Sequence, residues 1–227
     1  MSARGSGEKP SIVVLHPINF EESWTKQTYL DIENKFGKEG FTVKAIPLQI
    51  PGIRTMEGFQ EKRKMILERV PVPPTLVVCI GDPSWLITRP LFDKEWKDIP
   101  SIICYARDYM YPKEEYLIDL DKNVLDTLVP ITDVVKGYNA TFIKYSVYIK
   151  QTIELIKKLQ PGLTKLAFIF DHRYISLQTK ADVEAVLRKD FPGIQFEPLS
   201  TASISTENDF RIRRLFCIID IAHDIVE

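Results

Sequence analysis

The sequence predicts an α/β fold in two lobes, each a mostly parallel sheet flanked by helices. Two observations predict it. Short apolar runs that suit strands buried on both faces alternate with segments whose apolar residues recur at helical spacing. One design also occurs twice: Thr75-Leu-Val-Val-Cys-Ile-Gly-Asp-Pro-Ser-Trp and Leu163-Thr-Lys-Leu-Ala-Phe-Ile-Phe-Asp-His-Arg-Tyr-Ile-Ser-Leu-Gln each run a buried strand into a polar, aromatic loop and then a helix. In open α/β sheets such loops lie at the carboxyl ends of strands, where ligands bind. Two lobes hinged near Tyr138 and facing one crevice are therefore expected, a layout suited to binding and not to chemistry.

The elements follow in order. Residues 1–10 read as a flexible leader without the apolar core of a secretory signal. Ser11-Ile-Val-Val-Leu-His, between Pro10 and Pro17, is the first strand. Ser23 can cap the next helix, in which Tyr29, Ile32 and Phe36 share a face until Gly37 and Gly40 end it. Phe41 to Leu48 alternates as a second strand. Glu57 to Val70 is a charged surface helix stopped by Val70-Pro-Val-Pro-Pro. Thr75 to Ile80 is the third strand, a short helix starts at Ser84, and Ser101-Ile-Ile-Cys-Tyr is the fourth strand.

From Tyr109 to Pro130 the pattern lapses into an irregular excursion. Lobe 1 is assigned to 11–136 and lobe 2 to 137–227, with Gly137 to Ile143 as the strand that crosses between them. Ile149, Thr152, Ile153, Ile156 and Leu159 then form a helical stripe closed by Pro161-Gly162. Strand Lys165 to Phe170, a helix capped by Ser176 and carrying Ala181, Val183, Val186 and Leu187, and strand Ile194 to Leu199 follow. The stretch 210–227 is atypical of what precedes it, so lobe 2 is expected to be incomplete.

Composition narrows the function classes. The 227 residues carry 30 basic and 31 acidic side chains, a formal charge of -1, which gives no general attraction for nucleic acid. No window approaches the roughly twenty apolar residues of a membrane-spanning helix. Cys79, Cys104 and Cys217 lack metal-ligand spacing, and a Cys79–Cys104 disulfide depends on strand geometry that the sequence leaves open. There is no Gly-x-Ser-x-Gly elbow, dinucleotide fingerprint, Walker loop or His-Glu-x-x-His pair. His16, His172 and His223 are far apart in sequence. No catalytic residue, metal site or cofactor is expected.

Candidate ligand contacts lie in the strand-end loops. In the first loop they are Asn19 and Trp24, although Trp24 also suits a staple between helix and sheet. After the third strand, Gly81 allows close backbone approach. Asp82 suits either a hydrogen-bond acceptor for a ligand or a helix cap, and Trp85 either a flat binding wall or a core side chain. After the fourth strand, Tyr105 and Arg107 are candidates, with the guanidinium facing a ligand carboxylate or pairing with Asp108. In lobe 2, Asp171, Arg173 and Tyr174 precede a helix whose positive end favours an anion.

Several stretches together carry a family resemblance: Gly81-Asp-Pro-Ser-Trp-Leu86, Trp96-Lys-Asp-Ile-Pro-Ser-Ile-Ile-Cys104, Val135-Lys-Gly-Tyr-Asn-Ala-Thr141, Tyr148-Ile-Lys-Gln-Thr-Ile-Glu-Leu155 and Asp171-His-Arg-Tyr-Ile-Ser176. Over about residues 11 to 209 the chain resembles the extracytoplasmic sensor region of hybrid two-component sensor histidine kinases of Gram-negative bacteria, itself similar to ABC-transporter substrate-binding proteins. The resemblance implies a periplasmic-binding-protein-like fold that binds a small polar metabolite in a periplasmic location. It also implies a membrane helix and kinase core in a longer parent chain, which signals as a homodimer. Phe210 to Glu227 departs from the family's continuation, so a truncated or frame-shifted fragment is expected. Three alternatives stand beside this reading: a substrate-binding protein serving a transporter, a small α/β enzyme, and a sensor of a partner protein.

Overall fold

Ile12, Val13, Val14 and Leu15 are all buried, so the first strand is apolar on both faces because both faces are covered. Each such side chain contributes about 1.5–3 kcal/mol on burial. This strand, β1 (Ser11–His16), lies inside the first sheet, between β2 (Thr42–Pro47) and β3 (Leu76–Ile80). The protein is described here from a computed structural model, over residues 9–18, 25–118, 127–145, 147–170 and 174–200. Ser23, the expected cap of the first helix, lies outside the described residues.

In chain order the first unit contains β1, α1 (Thr25–Lys38), β2 (Thr42–Pro47), α2 (Met56–Arg69), β3 (Leu76–Ile80), α3 (Asp82–Phe92) and β4 (Ser101–Ala106). Then come β5 (Tyr109–Met110), β6 (Val129–Pro130), α4 (Ile131–Val134) and β7 (Ala140–Lys144). The main sheet has the order β2-β1-β3-β4-β7 and is parallel throughout. Tyr29, Ile32 and Phe36 of α1 pack on Ile12, Val14, Val78 and Ile80, which places α1 on one face. Thr88 of α3 meets Cys79 on the other face, and Arg63 of α2 donates to the Ile87 carbonyl of α3 (3.0 Å). Thr55 caps α2 by accepting from the Gly58 N–H (3.2 Å).

Five expectations are corrected here. The expected crossing strand is β7, and it pairs in parallel with β4 as the edge of the first sheet. The chain divides between Ser146 and Val147, not at 136/137. Tyr138 is no hinge: its ring stands edge-on to Trp85 (5.5 Å between centroids) and its hydroxyl donates to Asp93 (2.8 Å), both within the first unit. The third helix starts at Asp82 and not at Ser84, whose hydroxyl bonds back to the Ile80 carbonyl (2.7 Å). The excursion after β4 is more regular than expected, since β5 and β6 pair antiparallel and a 3-10 turn spans Glu114–Leu117.

Cys79 and Cys104 sit on neighbouring strands, yet they form no disulfide. The register sets Cys104 opposite Ile80 and Cys79 opposite Ile103, so the two side chains point to opposite faces of the sheet. Burial raises both thiols, Cys79 to about 12, and leaves them protonated and inert.

The second unit contains α5 (Ile149–Leu159), β8 (Lys165–Phe170), α6 (Tyr174–Asp190) and β9 (Gln195–Ser200). β8 and β9 are parallel, joined by the α6 crossover. Ile153 of α5 and Val183 and Leu187 of α6 form a small core with Ile194, bordered by Leu166 and Phe168 of β8. Of the helical stripe read from Ile149 to Leu159, Ile153 is buried and Ile149 and Ile156 are half-buried, while Thr152 and Leu159 at its margin are exposed. Helix α6 begins at Tyr174, which places Ser176 inside its first turn and not at its cap.

Candidate functional site

A sheet of order 2-1-3-4-5 has its switch point between its first and third strands, and ligands of open α/β proteins bind at the carboxyl ends beside it. In this chain that rim is formed by His16 at the end of β1, Gly81 and Asp82 after β3, Tyr105 to Arg107 at the end of β4, and Lys144 and Tyr145 at the end of β7.

The loop after β3 is built by Gly81, whose φ of 76° and ψ of 154° belong to a region almost closed to other residues. Its N–H donates to the Cys104 carbonyl (2.8 Å). The turn delivers Asp82 into α3 at 2% exposure, where Oδ1 accepts from the backbone N–H of Arg107 (3.3 Å). Asp82 therefore braces the two loops on either side of the rim.

Trp85 does not reach the rim. It is fully buried, with its ring against Phe92 (4.8 Å) and Tyr138 (5.5 Å), so of its two roles the core one is observed. It lies on the same face of α3 as Asp82, one turn further along the axis and so below the rim.

Tyr105 is the least ordinary residue of the rim. Its φ is 60°, left-handed and rare for an aromatic residue, at a bulge where the β4–β7 register slips between Cys104 and Ala106. Its hydroxyl lies 2.6 Å from that of Thr28 on α1. Its ring meets Tyr145 edge-on at 6.3 Å. The half-buried Arg107 guanidinium lies 5.9 Å from the centre of the same Tyr145 ring, within cation–π reach. Asp108 forms an ion pair with Lys144. The rim thus sets the Arg107 guanidinium against Tyr145, while the buried Asp82 carboxylate holds the Arg107 backbone.

His16 closes the end of β1. It is fully buried, and Nδ1 lies 2.8 Å from the Ile18 carbonyl and 3.2 Å from the Ile18 nitrogen. Burial lowers its pKa from 6.5, partly opposed by the hydrogen bond to the Ile18 carbonyl. The imidazole is a satisfied core group. Among the described residues no His, Cys, Asp and Glu cluster could hold a metal.

Asn19, Trp24, Asp171 and Arg173 lie outside the described residues, as does the side chain of Tyr174, whose backbone opens α6. Sequence reasoning did not find Thr28, Lys144 or Tyr145. Tyr145 follows the apolar β7 run as Arg107 follows β4, and that parallel was the available signal.

These features define an α/β protein with a mostly parallel sheet covered by helices, of the periplasmic-binding-protein-like fold. No family model and no curated protein matches the chain. Solved structures do. A conserved domain protein from Vibrio cholerae O1 biovar eltor str. N16961 aligns with a TM-score of 0.55 at 14% identity, over 86% of this chain and 58% of that one. A putative LacI transcriptional regulator from Bacteroides fragilis aligns with a TM-score of 0.55 at 11% identity, over 94% of this chain and 67% of that one. The chain spans less than two thirds of the Vibrio protein. At such identities the likeness establishes the fold alone. No helix among the described residues is long and apolar enough to cross a membrane.

Proposed function

We propose that the rim at the ends of β3, β4 and β7 binds a small polar ligand bearing an anionic group, and that the chain is the input part of a signalling receptor. The observation that carries the reading is Arg107: a guanidinium seated against Tyr145, beside a strained Tyr105, at the strand ends where open α/β sheets take ligands. The tyrosine faces suit a flat or apolar ligand body and Arg107 suits its carboxylate. The resemblance to extracytoplasmic sensor regions supports a periplasmic input to a histidine kinase, with ligand occupancy shifting the balance between conformations. The fold is shared with a protein named as a transcriptional regulator, which accords with a sensing role.

A substrate-binding protein serving a transporter fits the same fold and the same site. DNA beyond the codon for Glu227 separates the two: a membrane helix with kinase motifs supports the sensor, and transporter genes alone support the carrier.

The ligand claim is tested by thermal-shift screening of the chain against amino acids, sugars, nucleosides and organic acids. A ligand at a hundredfold excess over its dissociation constant stabilises the fold by about 2.7 kcal/mol. Arg107→Ala should then weaken binding by about 1.5–3 kcal/mol, the scale of a charged hydrogen bond. Unchanged affinity would remove Arg107 from the site. Turnover of a hit would favour an enzyme instead.

A further inference from the structure

At the opposite pole of the first sheet, where β4 and β7 begin, is a half-open hollow of about 340 Å³ whose polar lining, Asp93, Lys97, Asp98, Lys136 and Asn139, is exposed. It falls at the small end of the roughly 300–1,000 Å³ range of ligand pockets. Two turns of the same build line it. Ile99 N–H donates to the Trp96 carbonyl (3.0 Å) in one, and Tyr138 N–H donates to the Val135 carbonyl (3.1 Å) in the other. Each has a lysine second, Lys97 or Lys136, and a left-handed residue third: Asp98 at φ 66° or Gly137 at φ 90°. The Asn139 side-chain amide donates to the Asp98 carbonyl (3.2 Å), joining the two turns.

Two buried polar atoms lie one layer behind this wall without a hydrogen-bond partner, Trp85 Nε1 and Ser101 Oγ. Trp85 packs on Phe92 and Tyr138, and the Ser101 N–H donates to the Asn139 carbonyl (2.9 Å), so both adjoin lining residues. Unsatisfied buried groups of this kind are rare and mark strained or functional places. Two of the stretches that carry the family resemblance, Trp96 to Cys104 and Val135 to Thr141, meet here, and the ligand rim uses neither beyond the end of β4.

The lining carries charge of both signs. Lys97 and Lys136 face the cavity together with Asp93, which accepts the Tyr138 hydroxyl, and Asp98. A plain anion would meet two carboxylates as well as two ammonium groups. A ligand that couples a carboxylate to a hydrogen-bond donor matches both signs. We propose that this cavity is a second ligand site, for a small hydroxy or amino acid. Lys97 and Lys136 take its carboxylate, and Asp98 and Asn139 take its hydroxyl or ammonium group.

The test is an amide NMR titration of the full chain with lactate, with alanine and with acetate. Lactate or alanine should give saturable shifts centred on Gly137 and Asn139 in the millimolar range, with acetate binding several-fold more weakly. The double substitution Lys97→Ala/Lys136→Ala should weaken binding about tenfold or more, the effect of losing charge-assisted contacts. Its spectrum also reports whether the fold persists. Arg107→Ala should leave this binding unchanged, which separates the site from the rim. Absence of saturable shifts, affinity that survives the double substitution, or shifts centred on the rim would each overturn the proposal. Equal affinity for acetate would overturn the assignment of ligand class.

Discussion

The Tyr105 hydroxyl lies 2.6 Å from the Thr28 hydroxyl, a bond that ties the bulged end of β4 to the first turn of α1. It holds in place a residue whose left-handed backbone costs about 1–3 kcal/mol. Tyr105→Phe removes the bond while keeping the ring and the strain. Urea unfolding should show a loss of about 0.5–1.5 kcal/mol with an unchanged slope. A variant as stable as the parent would mean that the ring contacts alone hold the bulge.

Gly81 is tied to β4 by its N–H bond to the Cys104 carbonyl, and its conformation relies on lacking a side chain. Its φ of 76° with ψ of 154° lies where a Cβ is strained, whatever space surrounds it. Gly81→Ala should destabilise the first unit by about 1–3 kcal/mol. It should also weaken any rim ligand, because Asp82 and its bond to Arg107 follow directly from that turn. Stability and ligand affinity measured on the same variant check both halves.

Much of this architecture was legible in the chain, and the limits have physical causes. The strands β1, β3 and β4 were evident because two-sided burial imposes continuous apolar runs, and α5 because its stripe is strict. The partner of β7 was not, since pairing with β4 is a long-range choice that a five-residue strand does not encode. Asp82 and Trp85 each have two roles open in the sequence, ligand contact or cap for the one and binding wall or core for the other. The helix in fact begins at Asp82, and Trp85, one turn further along the same face, is buried against Phe92 and Tyr138. The place of Arg107 at a strand end was legible because it follows the apolar run of β4. Tyr145 reaches Arg107, and Thr28 reaches Tyr105, only through tertiary packing, and a tyrosine gives no warning that it will adopt a left-handed backbone.

The ion pair of Arg63 and Glu114, 2.6 Å apart with both side chains nearly buried (14% and 13% exposed), fastens the excursion after β5 to α2. Arg63 also donates to the Ile87 carbonyl, and Arg89 to the Pro112 carbonyl (2.6 Å). Removing one partner strands a desolvated charge, so Arg63→Met should cost about 3 kcal/mol. Restoring neutrality with Arg63→Met/Glu114→Leu should recover most of it, because burying a pair is itself expensive. A double variant no better than the single one would assign the loss to the Ile87 bond and not to the pair.

The buried His16 gives the first unit a pH dependence of definite sign. Its folded pKa lies below the ordinary 6.5, so between the two values the unfolded chain binds more protons and stability falls as pH drops through 6.5. Glu114 acts in the opposite sense. Burial raises its pKa above 4.5 against the pull of Arg63, so in the window just above 4.5 the folded chain binds more protons and stability rises as pH falls. His16→Gln keeps a side chain able to meet the Ile18 backbone and cannot titrate. Urea midpoints from about pH 7.5 to about pH 5.5, the range in which histidine changes charge, should decline for the parent and stay flatter for the variant. Comparing the two cancels the contributions of His172, His223 and Glu114. Parallel profiles would mean that the imidazole titrates alike in both states, and burial at the end of β1 would then carry no penalty for its charged form.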